Sequence, residues 1–380
     1  MTKIIEPLFI ICETPLHVGV GSDLGIIDLP IQRERVTNYP KIESSGLKGA
    51  IRSAFESDIE KIDKAELMEY LTKIQLSFGY DGDDKRLVKV LDNNKGQYSG
   101  AIGFSDARIL LFPVKSLKGS FAWITCPNIM NKFFKELNIC EIKENKIIEN
   151  NTCSYIEENK NNKIILKSSI TISPPEKDKE NEIILEDFLI KVKPNKDTKE
   201  LAEYLSEVIF PKPEKDKPDE YKYWKKLIKT NLVILDDEDF KNFVTLSTEV
   251  ITRIKINNET GTVKDTGLFT EEYLPSESIL YTLSMFNNLF SDAGDFKDTN
   301  YKKDEKKHNE NNPYWERGTK AQEIKNFFYE KPLKVIQIGG NATLGKGIVR
   351  LNKYSVPTAT TTENKEDSDS EGNANNETNN

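Results

Sequence analysis

The chain has 380 residues, 54 lysines and arginines against 62 aspartates and glutamates, and a formal net charge of −8. Its 9% aromatic content excludes a fully disordered chain, and no apolar run approaches the roughly 18 residues of a membrane-spanning helix. Only two histidines, and four cysteines without a CxxC pair, argue against a structural zinc site and against a two-histidine ribonuclease. The length allows roughly two to three domains or one heavily elaborated one. Met1–Gly21 lacks a basic segment followed by an apolar stretch, so no secretory leader is expected and the chain is expected to be cytoplasmic.

In chain order, the apolar run Leu8–Cys12 predicts a buried strand. Thr14–Gly25 is a turn-rich loop carrying His17. Ser44–Ile62 predicts a helix, with Leu47, Ile51 and Phe55 every four residues and Ser44 or Ser45 as its cap. Residues 100–126 predict two or three strands broken at Pro113 and Gly119. Helices follow at 197–209 and 219–229, then a strand at Leu232–Leu235 and a helix capped by Asp236 or Asp237 that runs to about Val250. Residues 251–275 predict a β-hairpin, residues 276–290 a helix, and Ala321–Tyr329 a short helix. Leu333–Leu351 predicts a strand, a glycine loop and a strand. Polar or charged insertions are expected at about 141–164, 176–230 and 291–312, the last of them mobile, and a disordered acidic tail at 355–380. Leu47-Lys48-Gly49 recurs as Leu117-Lys118-Gly119, a weak hint of a duplicated half-domain. Strands and helices interleaved without a βαβ period indicate an α+β fold, with a ferredoxin-like core carrying large insertions.

Three constellations could carry chemistry. Asp28 follows two isoleucines and precedes Leu29-Pro30, a stiff stretch beside Arg33 and Arg35. Its carboxylate could hold a metal or accept a proton, or it could be a turn aspartate satisfied by backbone N–H groups or by Arg33. The predicted helix start Ser44-Ser45-Gly46 offers free N–H groups, and Lys48 and Arg52 share one face, a seat for a phosphodiester or simply a solvated face. No GxxxxGK[ST] motif is present, so ATP hydrolysis is not supported. The loop Gly339-Gly340-Asn341-Ala342-Thr343-Leu344-Gly345-Lys346-Gly347 suits close approach to a ligand or a tight crossover. His17 could contact RNA or orient Asp28, and Glu271-Glu272 could join it, or each could be structural.

These stretches, in this order, resemble the RAMP (repeat-associated mysterious protein) superfamily of CRISPR effector proteins, and within it the repeated backbone subunit of type III-B (Cmr) complexes. The likeness rests on Thr14–Gly19, Ile27–Glu34 (IDLPIQRE), Leu47–Arg52 (LKGAIR), Phe104–Arg108 (FSDAR), Thr252–Pro275 and the glycine loop, and covers about residues 4–352. It implies one elaborated RAMP domain over 1–354 with a ferredoxin-like (RRM-like) core and a protruding β-hairpin thumb, here 251–275. It implies copies lined up in a filament along one CRISPR RNA with other effector subunits, and a divalent metal ion (Mg or Mn) for endonucleolytic cleavage of paired target RNA at regular intervals. Asp28 would be the catalytic, metal-holding carboxylate, with His17, Glu271 and Glu272 as further candidates. His17 and Lys48 would line the RNA path; Arg52, Arg33, Arg35, Ser45, Gly46, Gly339, Gly340 and Lys346 are the further residues expected to bind RNA. The alternatives are a catalytically silent CRISPR RNA scaffold and a RAMP endonuclease processing precursor RNA; histidine poverty counts against the latter.

Overall fold

A computed structural model describes residues 3–63, 66–80, 98–142, 164–165, 181–194, 196–213, 215–289, 319–331 and 333–357. The first half contains β1 (Lys3–Cys12), β2 (Lys41–Ile42), α1 (Ser44–Glu56), α2 (Leu67–Phe78), β3 (Gly79–Tyr80), β4 (Tyr98–Ser99), β5 (Ile102–Phe104), β6 (Ala107–Lys115), β7 (Phe121–Thr125) and α3 (Pro127–Ile139). Then come β8 (Ile164–Ile165), β9 (Asn181–Leu185), β10 (Phe188–Pro194), α4 (Lys196–Ile209), α5 (Lys222–Asn231), β11 (Leu232–Ile234) and α6 (Asp237–Leu246). The last part holds β12 (Glu249–Ile256), β13 (Val263–Tyr273), β14 (Ile279–Asn287), α7 (Ala321–Glu330), β15 (Val335–Gln337) and β16 (Ile348–Lys353).

The main sheet runs β15-β16-β1-β14-β6-β7-β11-β8-β10-β9, with β2 added to β6 and β5 to β14. The last six residues of β1 are all buried, because β14 and β16 flank the strand while helices cover the sheet. α1 packs Leu47, Ile51 and Phe55, none of them exposed, into the core. One continuous apolar cluster runs from Leu8 to Tyr354. This is an α+β architecture, consistent with a ferredoxin-like core.

Several expectations fall to tertiary context. Where the sequence predicts a helix over 276–290, Ile279–Asn287 is instead the strand between β1 and β6. A strand buried on both faces lacks the in-and-out alternation of a half-exposed one, so periodicity does not tell it from a helix. Pro113 does not break β6; it faces Trp123 of β7 beyond the point where β14 pairs with β6, where its missing N–H costs no ladder bond to β14. Neither Ser44 nor Ser45 caps α1; Glu43 takes the cap position, and Asp106 Oδ1 accepts the Ser44 N–H at 3.0 Å. Asp236 does cap α6, which ends at Leu246 because the chain turns into β12. The two Leu-Lys-Gly copies lie in a helix and in a turn between strands, so they do not mark a duplication. Within 176–230, β9, β10 and α4 add Ile183, Leu185, Val192 and Leu205 to the common core. Residues 143–163, 290–318 and 358–380, which include most of two predicted insertions and the tail, lie outside the described residues.

Candidate active site

The site forms where the loop after β1 crosses the base of the β12–β13 hairpin. Residues 28–31 run alongside β13: the Leu29 N–H donates to Thr270 O at 3.0 Å, and the Glu272 N–H donates to Leu29 O at 3.0 Å. Leu16 and Leu274 exchange backbone bonds at 2.8 and 2.9 Å, fixing the first arm of the loop. Asp28 therefore hangs on the hairpin and not on the central sheet.

Asp28 is exposed, and Thr270 grips it at both ends. Asp28 Oδ2 accepts the Thr270 N–H at 2.7 Å and the Thr270 hydroxyl at 2.8 Å, while the Asp28 N–H donates back to that hydroxyl oxygen at 3.0 Å. The Thr270 N–H, then its hydroxyl, hold the Asp28 carboxyl below the usual carboxylate range. Both bonds land on Oδ2; Oδ1 receives none from Thr270.

Successive strand residues face opposite ways, so Glu271 and Glu272 serve different networks. Glu272 accepts from Arg33 Nη2 (2.5 Å), the Thr248 hydroxyl (2.8 Å) and the Ile31 N–H (3.0 Å). Glu271 accepts from the Tyr273 hydroxyl (2.5 Å) and from Asn341 Nδ2 (2.8 Å), and ion-pairs with Arg253. Burial raises the Glu271 pKa, but those two hydrogen bonds and the Arg253 charge outweigh it and leave the group below its ordinary value. Both glutamates are buried and engaged internally, so the carboxylates expected to join Asp28 are struts instead. Among the described residues, no three His, Cys, Asp or Glu side chains converge on a metal site. A hard cation held by Asp28 would draw its remaining ligands from phosphate oxygens and water, which is how Mg binds at phosphoryl sites.

His17 is buried, and its Nδ1–H donates to Glu272 O at 2.7 Å, which fixes the orientation of the ring. Its ring lies 5.5 Å from that of Tyr273. The glycine loop closes over it: the Gly340 N–H donates to His17 O at 2.9 Å, and a Cβ on Gly339 (φ +77°) would stand 2.2 Å from that oxygen. Lys346 Nζ sits 4.9 Å above the Tyr273 ring.

The residues expected along the RNA path divide. Arg33 is spent on Glu272 and on the carbonyls of Asn38 and Val244, and Arg52 on Glu56, Gln75 and Gly79 O, so both guanidiniums are internal ties. Arg35, Ser45 and Gly46 are exposed. Lys48 is half-buried, and among the described residues no carboxylate pairs with it; burial, then the nearby Arg52 charge, push its pKa down. Sequence reasoning passed over Thr270, Tyr273, Arg253 and Asn341. The signal for Asn341 was a residue tolerant of left-handed backbone (φ +63°) among glycines; the others stand in a strand pattern that marks no partner. The family motifs prove partly architectural. Asp106 of the SDAR stretch binds Lys41 and the start of α1, and Arg108 joins Glu34 to Glu136.

A model of the RAMP superfamily matches residues 9–350. The chain belongs to the RAMP superfamily. It is 32% identical over 350 residues to the CRISPR system Cmr endoribonuclease Cmr4 of Pyrococcus furiosus, covering 90% of this chain and 93% of that one. It is 24% identical over 363 residues to the CMR subunit Cmr4 of Saccharolobus solfataricus, covering 91% and 96%. Among solved structures, oligomeric Cmr4 from Pyrococcus furiosus aligns with a TM-score of 0.57 at 24% identity, over 94% of this chain and 100% of that one. A chain of the type III-B Cmr-beta complex bound to cognate target RNA aligns at 0.60 and 20% identity, over 92% and 97%. These structures share the fold. Among the described residues, no helix is long and apolar enough to cross a membrane.

Proposed function

We propose that the chain is the repeated backbone subunit of a type III-B CRISPR effector complex in the cytoplasm. It binds CRISPR RNA beside further copies of itself and other subunits, and cleaves paired target RNA at regular intervals as an endoribonuclease. The observation that carries this reading is an exposed, geometrically fixed carboxylate, Asp28, in a chain 32% identical over nearly its whole length to a Cmr endoribonuclease. Guide and target are held by backbone and shape, since their base edges are occupied in pairing. The hairpin presents Val250, Ile254, Ile256, Val263 and Leu268 to solvent, which suits insertion between bases. Unstacking a nucleotide there frees its backbone to bring the 2′-hydroxyl in line with the next phosphate.

Asp28 stands at the hairpin's base, where that phosphodiester would lie. A carboxylate held below its ordinary pKa is a weak proton acceptor but a constant negative charge, which favours holding a divalent cation over general-base work. Such an ion, when bound, would polarise the phosphoryl oxygen. Thr270 fixes the Asp28 rotamer, and His17 braces the Glu272 carbonyl on the same strand. Cleavage of a labelled complementary RNA by the reconstituted complex tests this. Asp28→Ala and Asp28→Asn should abolish cutting while target binding persists, and metal chelation should copy them. Wild-type cutting by Asp28→Ala overturns the assignment and moves the search to His17.

A further inference from the structure

Away from Asp28, a cavity of about 90 Å³ opens where β1, β14, β16 and α5 meet. Trp123, Trp224 and Tyr221 wall it, and Glu13, Glu220 and Glu277 bring three carboxylates against one cation, Arg350. That cation is already engaged: it ion-pairs with Glu13 and lies 5.9 Å from the centre of the Tyr221 ring. Glu277 takes no hydrogen bond or ion pair through its side chain among the described residues. It sits at φ +69°, where glycine would be unstrained, and the Trp123 indole N–H donates to its carbonyl at 2.8 Å. A half-buried carboxylate beside two indoles, with no partner for its charge among the described residues, is a costly arrangement.

We propose that this cavity is a socket for a guanidinium group. The planar cation stacks on indole and phenol faces and forks onto a carboxylate, which an ammonium or a metal ion does less well. At about 10–15 Å³ per water-sized group, the volume admits the four heavy atoms of a guanidinium with a short stem. The group arrives on an arginine of a neighbouring copy or on a free small cation. The charged and titratable groups facing Glu277 are Glu13 and Cys12 at the end of β1, Glu220 and Tyr221 ahead of α5, and Arg350 on β16. Burial and the Glu13 charge push the Glu277 carboxyl up to about 7, so the cation binds as the proton leaves.

The chain's three tryptophans include the two in the wall, so indole fluorescence reports occupancy. Agmatine, with the uncharged n-butylurea as control, is titrated into the purified chain. Agmatine should give a saturable change that butylurea does not, about tenfold tighter at pH 8 than at pH 6. Glu277→Gln should weaken it about tenfold or more and remove the pH dependence. Glu277→Gly, which relieves the backbone and so keeps the fold, should do the same. No response in the wild type, or equal affinity in both variants, overturns the proposal. Sedimentation of the chain with and without agmatine then assigns the source: dissociation of self-associated chain supports a neighbour's arginine, and unchanged association supports a free cation.

Discussion

Replacing Glu272 by alanine removes one acceptor from three donors at once. The Glu272 side chain is 3% exposed and that of Arg33 is 14% exposed, so solvent cannot readily replace what is lost. Breaking a buried ion pair from one side costs about 3–5 kcal/mol. Arg33 keeps the carbonyls of Asn38 and Val244, which argues for the lower end, while the orphaned Ile31 N–H adds about 1–3 kcal/mol. Glu272→Ala should therefore lower the unfolding free energy by about 4 kcal/mol, read from urea unfolding of the purified chain. Glu272→Gln retains an oxygen for Ile31 and should lose about half of that. Combining Glu272→Leu with Arg33→Met should recover much of the deficit, because both charges leave together. In the reconstituted complex, a folded Glu272→Gln should still cut target RNA. A loss below about 1 kcal/mol for the alanine variant, or a folded but inactive glutamine variant, would refute the view of Glu272 as a strut.

Lys48→Met should weaken RNA binding alike for unrelated sequences and flatten the salt dependence by about 0.7–0.9 in the log–log slope. It should leave the melting temperature unchanged or raised, since it removes a half-buried charge beside Arg52 that no carboxylate among the described residues pairs with. Gly339→Ala should cost about 3 kcal/mol or more, because its Cβ would meet His17 O at 2.2 Å, whereas Gly345→Ala, at φ +71° with open space around it, should cost about 1 kcal/mol by the same urea assay. Glu271 is depressed in the folded chain, so its stabilisation is present above the ordinary 4.5 and is lost as pH falls through the folded value. The stability gap between wild type and Glu271→Gln should therefore narrow from about pH 4.5 downward, and a gap that widens there would contradict the network.

What was legible was what local chemistry dictates. The α1 stripe of Leu47, Ile51 and Phe55, the Asp236 cap and the hairpin turn all appear where the pattern placed them. Asp28 was visible as a carboxylate on stiff chain. Its partner Thr270 was not, because 242 residues separate them and nothing in a lone threonine announces a hydrogen bond. Adjacent Glu271 and Glu272 looked like one acidic pair until the strand turned them to opposite sides. Arg33 and Arg52 looked like phosphate ligands because sequence shows charge and hides the carbonyls that consume it. Ile279–Asn287 misled for a related reason: burial on both faces erases the alternation by which a strand announces itself.

Mounting Asp28 on the hairpin and not on the sheet makes the carboxylate the short arm of a lever. From Thr270 to the far end of β13 at Val263 is roughly 23 Å of extended strand, and the intervening ladder carries a register shift near Ile256. The Asp28 carboxylate is tied to Thr270, so a tilt imposed at the tip by stacked bases or by an adjoining subunit is transmitted to the proposed cleavage point. A mispaired helix that seats the tip differently would leave RNA bound and the carboxylate out of range. Fidelity of cutting could thus exceed fidelity of binding without any residue reading a base.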